Sequence, residues 1–329
     1  MTEKHPRPYG ALTALLAALA MATGASPAVA DDGFPVTIDN CGEPVVFDRA
    51  PERAVTVDIN TTETMLALGL ESHLAAVMGV SGYGYDLSPE LAAAAARLET
   101  TPKYPGSLEI VLQANPDFVF AGWNYGFAGE RGITPETLAA FGVKSYAIRE
   151  SCIKVGARPP ITMDDTYQDI LAIGRIFGVG ERAAALVGEF RRQVAEVTAR
   201  VGAVARPLRV FVYDSDEKAP FTAGRMGMPN ALVELAGGVN VFADVNDSWL
   251  NVGWEEVVAR DPEVIVVVDY GEPSAAGKRA FLLDHPALAG VEAIHNRRFV
   301  TLPYAALVPS VHNAAAVRRL AQAFHPASF

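Results

Sequence analysis

Two stretches of the chain read alike. Ser107 to Phe120 is SLEIVLQANPDFVF, and Gly253 to Val266 is GWEEVVARDPEVIV. In each, a glutamate stands seven residues before a proline, Glu109 before Pro116 and Glu255 before Pro262. Each glutamate lies on a helix-like segment that the proline ends and a β-branched run follows. The repeat distance is far longer than the roughly 20 to 50 residues of a solenoid. The duplication instead asks for two related lobes, each with one acidic residue at an equivalent place.

The chain has 329 residues, 50% apolar and 20% charged, enough for two cores of ordinary domain size. It holds 27 Lys plus Arg against 38 Asp plus Glu, a net charge of −11. That balance argues against a nucleic-acid partner, which needs a basic face. Residues 1–30 behave differently from the rest. Lys4 and Arg7 precede the apolar run ALTALLAALAMA, and ASPAVA ends in the small-x-small pattern of Ala28, Val29 and Ala30. This is the layout of a secretory signal peptide, with cleavage expected after Ala30 and export to the periplasm. A membrane anchor, the alternative, needs roughly 20 apolar residues. Outside the cytoplasm the only two cysteines, Cys41 and Cys152, are expected to pair. Two unrelated buried thiols are the other reading.

Residues 35–47 alternate about a turn and predict a hairpin. Strand-like runs at 54–58, 75–80, 117–121 and 144–148 are interleaved with helical stretches at 62–70, N-capped by Thr61 or Thr62, and 108–114. From Glu181 to Val201 the pattern becomes one long helix with Ala183, Val187, Phe190, Val194, Val197 and Val201 on a single face. Strand and helix then alternate again to the C-terminus. The expected fold is α/β, two Rossmann-like lobes with parallel-type sheets joined by one long connecting helix. The division is 1–30 signal peptide, 31–178 N-terminal lobe, 179–204 connecting helix and 205–329 C-terminal lobe. A G-x-G-x-x-A at Gly178, Gly180 and Ala183 follows a helix rather than a strand, so it carries no dinucleotide signal.

In doubly wound sheets ligands sit beyond the carboxyl ends of the strands. Those positions hold Asn60, Thr61, Tyr83, Tyr85, Trp123, Tyr125, Arg149, Asp214, Tyr270 and Tyr304, with Asp58, Asn124 and Glu150 among them. Arg225 and Trp249 lie in nearby loops. Any one tyrosine here reads equally as a half-buried edge residue. Their accumulation suits a pocket for a sizeable, partly flat small molecule, and Arg149 and Arg225 suit an anionic group on it. There is no G-x-S-x-G, P-loop or H-E-x-x-H, and the six histidines show no metal-ligand spacing. No catalytic residue and no metal site is assigned, and binding without chemistry is favoured.

RAVTVDINTTETMLALGL, SLEIVLQANPDFVFAG and WEEVVARDPEVIVVVD resemble segments of the periplasmic substrate-binding proteins of ABC importers for ferric siderophores, haem and cobalamin. The resemblance covers essentially the whole mature chain. It implies a class III substrate-binding protein with a rigid connecting helix and no cofactor of its own. A ferric siderophore, haem or corrinoid would be held between the lobes and delivered to an ABC importer permease dimer. It also gives Glu109 and Glu255 a role, one per lobe, docking into arginines of the two permease subunits. The plainer role for each is to favour a helix N-terminus, worth about 0.3 to 1 kcal/mol. DNCG, AGWNYGF, ESC and DSWLNVGWEEV resemble a subgroup proposed to bind a deazaflavin cofactor precursor. A monomer is expected. The competing classes are an exported enzyme modifying a cofactor in the same cleft, with Asp214 or Asp269 as general base, and a signalling or adhesive module without an importer.

Overall fold

Short β-branched runs bounded by turns form parallel strands, and the amphipathic segments between them form covering helices. The structure, a computed structural model, describes residues 1–2, 33–80, 87–101, 104–202 and 206–329. The expected signal peptide and both Tyr83 and Tyr85 lie outside the described residues.

The N-terminal part contains strands β1 (Val36–Asn40), β2 (Glu43–Phe47), β3 (Ala54–Val57), β4 (Leu74–Met78), β5 (Glu99–Thr101), β6 (Phe118–Trp123), β7 (Gly126–Phe127) and β8 (Lys144–Ala147). Its helices are α1 (Ile59–Ala67), α2 (Pro89–Arg97), α3 (Leu108–Gln113), α4 (Pro135–Ala140) and α5 (Met163–Ile176). Helix α6 (Gly180–Val201) leads to β9 (Leu208–Tyr213), β10 (Phe221–Ala223), α7 (Met228–Leu235), β11 (Gly238–Asn240) and β12 (Trp249–Asn251). Then follow α8 (Trp254–Arg260), β13 (Val264–Asp269), α9 (Ala275–Asp284), α10 (Glu292–His295), β14 (Phe299–Pro303) and α11 (Asn313–Phe324).

The first sheet runs β5-β4-β3-β6-β7, with β8 also on β6, and the second runs β11-β9-β13-β14. Every pair in both sheets is parallel. Central strands such as β3 and β13 are buried on both faces along nearly their whole length, as parallel strands covered by helices must be. Two antiparallel ribbons stand apart, β1-β2 and β10-β12. The fold is α/β, two lobes with parallel sheets joined by one long helix. The duplicated segments occupy matching places, α3 into β6 beside β3 and α8 into β13 beside β9.

Helix α6 has 22 residues, a length of roughly 33 Å at about 1.5 Å per residue. Ala183, Val187, Val194 and Val197 of the expected stripe are buried, and Phe190 and Val201 are partly buried, against a core shared with α5 and α11. The approach of α5 and α6 is close. A Cβ at Gly174 would stand 2.4 Å from the Cβ of Ala183, so only glycine fits there.

One boundary differs from the sequence reading. Helix α1 begins at Ile59 with Asp58 as N-cap, its carboxylate accepting from Ile59 N, rather than at Thr61 or Thr62. The threonines bond backward inside the helix instead, Thr61 Oγ1 to Val57 O at 2.8 Å and Thr62 Oγ1 to Asp58 O at 2.9 Å. The expected disulfide is present. Cys41 in the β1-β2 turn joins Cys152 in the turn after β8, with Cα atoms 5.2 Å apart.

Candidate functional site

Asp58 ends β3 and is fully buried. Its φ of 86° puts a non-glycine residue in left-handed backbone, a conformation that surrounding structure must impose and that gathers at functional sites. Oδ1 accepts from Ile59 N at 2.6 Å, and Oδ2 accepts two phenols, Tyr104 at 2.6 Å and Tyr304 at 2.7 Å. Tyr104 reaches it by lying over Gly79, where any Cβ would meet the ring at 2.4 Å. Burial raises the Asp58 carboxyl above its usual range, partly offset by the two phenols.

The second lobe repeats the device. Asp214 follows β9 as Asp58 follows β3, and its Oδ1 accepts from Tyr270 OH at 2.5 Å and Ser215 Oγ at 2.8 Å. Burial raises this carboxyl too. Lys278 lies buried behind Tyr270, its Nζ 4.3 Å from the ring centroid and 2.7 Å from Val268 O. Burial lowers the Lys278 amine, opposed by the nearby Asp214. The Tyr270 and Tyr304 rings are 5.2 Å apart.

A third buried carboxylate ties the lobes together. Glu150 Oε1 accepts from Tyr125 OH at 2.8 Å and from Trp249 Nε1 at 3.1 Å, while Oε2 accepts from Met228 N at 3.0 Å. Trp249 Nε1 also donates to Tyr125 OH at 2.8 Å. Burial pushes Glu150 up to about 7. Asn60 adds a further link between lobes, Nδ2 to Pro309 O at 2.8 Å, and so does the pair Glu63 and His312, 2.7 Å apart. The bond to Glu63 raises the His312 imidazole.

These groups surround a cavity of about 190 Å³ between the sheets. It is lined by Tyr104, Asn124 and Tyr125 from the first lobe and by Asp214, Phe221, Ser248, Trp249, Tyr270 and Tyr304 from the second. Phe221 and Trp249, carried in on the β10-β12 ribbon, stack at 5.7 Å. Three larger hollows, about 490, 420 and 230 Å³, lie beside the β1-β2 hairpin. Each is lined by first-lobe residues alone, so none collects strand ends from both sheets. The 190 Å³ cavity is the candidate site because both sheets converge on it.

Tyr125, Asp214, Trp249, Tyr270 and Tyr304 are thus brought together as expected from sequence. Others are placed elsewhere. Trp123 packs on Phe127 and lines the 490 Å³ hollow, because alternation along β6 turns it away from the cleft. Arg149 lines the 420 Å³ hollow with its Nε 3.5 Å from Asp165, neutralised where it stands. Arg225 is half-buried on the β10-α7 loop and does not line the cavity. Asn60 and Thr61 are buried in α1, spending their side chains on backbone carbonyls. Tyr104 was not foreseen, since β5, the strand that positions it, has three residues and no apolar alternation. Glu109 and Glu255 are each the second residue of their helix, exposed, and outside any ion pair among the described residues. A hydrogen bond from Ser107 lowers the Glu109 carboxyl. Glu256, the neighbour of Glu255, caps Gly253 N at 2.9 Å, and the Glu255 carboxylate lies over Gly253.

No group of three or more metal-ligating side chains occurs among the described residues, nor any helix long and apolar enough to cross a membrane. Residues 55–306 match the family described as periplasmic binding protein. A cobalamin-binding protein of Halobacterium salinarum is 32% identical over 264 residues, covering 78% of this chain and 65% of that protein, just under two thirds of its length. A vitamin B12-binding protein of Yersinia pestis is 30% identical over 224 residues, 67% of this chain and 70% of that protein. The solved structure of an ABC-type Fe3+-hydroxamate transport system from Saccharomonospora viridis superposes with a TM-score of 0.76 at 26% identity, covering 88% of this chain and 99% of that one. The chain belongs to the periplasmic binding protein family.

Proposed function

We propose that the chain is an exported solute receptor that captures a metal chelate or similar cofactor between its lobes and delivers it to an ABC importer. Ferric siderophores, haem, corrinoids and deazaflavin precursors are the ligand classes in view. The observation that carries this reading is the aromatic cavity fed by strand ends of both sheets. Relatives named for cobalamin, vitamin B12 and Fe3+-hydroxamate support it. So do the two exposed glutamates at matching helix positions, one for each subunit of a two-fold permease.

For an enzyme in the same cleft, Asp214 or Asp269 would have to act as base. Asp214 already accepts two hydroxyl donors, and Asp269 Oδ1 accepts Ala275 N at 3.3 Å at the start of α9. The test is native mass spectrometry and absorbance of protein purified from its own host, followed by incubation with the ligand recovered. A receptor returns that ligand chemically unchanged, and a covalently altered product overturns the reading.

A further inference from the structure

Five side chains on the cavity wall carry a single hydrogen-bonding proton each, and each gives it to a buried carboxylate. Tyr104 and Tyr304 donate to Asp58, Tyr125 and Trp249 to Glu150, and Tyr270 to Asp214. The remaining partners of these carboxylates are donors as well: Ile59 N, Met228 N and Ser215 Oγ. Donors on every side favour the acceptor-only, ionised form of a carboxyl group, against the burial that raises it. An entering molecule therefore meets ring faces and phenolic oxygens whose protons are committed, backed by three buried carboxyl groups.

Among the described residues positive charge answers them only in part, Arg158 acting on Glu150 and Lys278 on Asp214. None of the nine described lining residues is Lys, Arg or His. Among the described residues neither Asp58 nor Glu150 is in a salt bridge, and Lys278 approaches from behind Tyr270 on the Asp214 side alone. Burial raises all three carboxyls, as buried negative charge short of counter-charge requires. The two arginines that the sequence offers to an anion, Arg149 and Arg225, lie outside this wall.

From this arrangement we infer that the cleft selects a ligand presenting positive charge, an organic ammonium or the cationic edge of a metal chelate, and discriminates against one presenting carboxylates or phosphates. A cation gains from the ring faces and from the carboxylates behind them. An anion would find few free donors, and taking a phenol from Asp58 or Asp214 would leave a buried carboxylate short of a partner. The inference rests on the receptor reading and adds the charge of what is received.

The test is calorimetric affinity of the full mature protein for two probe pairs. One pair is a ferric trihydroxamate bearing a free primary amine and the same chelate N-acetylated. The other is choline and its uncharged isostere 3,3-dimethylbutan-1-ol. In at least one pair the charged member should bind at least about tenfold tighter. The double variant Asp58→Asn with Asp214→Asn should shrink that preference, and the parent comparison stands whether or not the variant folds. Preference confined to the chelate pair identifies a metal complex as the source of the charge, and preference confined to choline a simple quaternary ammonium. Equal binding within both pairs, or no binding of either charged probe, overturns the assignment. A neutral or anionic ligand recovered from the host would overturn it too while leaving the receptor reading intact, whereas a chemically altered ligand would overturn the receptor reading itself.

Discussion

Glu150 joins the lobes through two hydrogen bonds, from Met228 N and Trp249 Nε1, while wholly buried, and its protonation shapes how stability depends on pH. Its carboxyl is raised from 4.5 to about 7, so its contribution is complete below pH 4.5 and is lost as pH rises through 7. At roughly 1.4 kcal/mol per unit the loss is about 3 kcal/mol. Asp169, pushed up to about 8 by burial, acts in the same direction. So does His312, whose raised imidazole makes its pair with Glu63 strongest below 6.5 and weaker as pH climbs past its folded value. Urea unfolding at pH 5 and pH 8 should show the parent losing stability with pH and Glu150→Gln losing about 2 to 3 kcal/mol less. Parallel slopes in parent and variant would remove Glu150 from this account. The carboxylates also show what sequence could not reveal. Tyr125, Tyr270 and Tyr304 follow from the strand-end rule and Trp249 from its place in a nearby loop, but which way Trp123 faces depends on strand alternation at an end where β6 meets β7. That Asp58 would hold Tyr104 depends on a three-residue strand with no pattern to read.

At the scale of elements, the pairing of α5 with α6 is set by the smallest side chains. Gly174→Ala places a methyl 2.4 Å from the Ala183 Cβ, and overpacking of this kind costs about 1 to 3 kcal/mol. Thermal unfolding of Gly174→Ala with Ala183→Gly should recover most of that loss, and failure to recover it would mean the strain lies elsewhere. The disulfide closes a sequence separation of 111 residues, which in the chain-entropy model is worth about 5 kcal/mol. Cys41→Ser with Cys152→Ser should lower stability by up to about that amount, and unreduced denatured protein should titrate no free thiol. A full complement of two thiols would contradict the bond. The long helix and central strands were legible because β-branched runs and a four-three apolar spacing are strong signals. The β10-β12 ribbon was not, because three-residue strands that mix aromatic and small residues carry no period.

At the scale of the whole molecule, the duplicated glutamates stand exposed and outside any ion pair among the described residues. Glu109 and Glu255 sit at matching helix positions, Glu109 with a hydrogen bond from Ser107 and Glu255 lying over Gly253. Glu109→Ala with Glu255→Ala should fold and bind ligand as the parent does, yet fail to support uptake or to stimulate the importer's ATPase. Removing one partner of a desolvated carboxylate–arginine contact commonly costs about 2 to 5 kcal/mol. Transport at the parent rate would make both residues structural. Helix α6 and the bonds through Asn60, Glu63 and Glu150 have a thermodynamic consequence as well. Lobes already bonded to each other leave little surface to be newly covered beyond the ligand and the walls it touches. The heat-capacity change of capture should therefore scale with the ligand's own apolar area, and the radius of gyration in solution scattering should be the same with the cleft filled as with it empty.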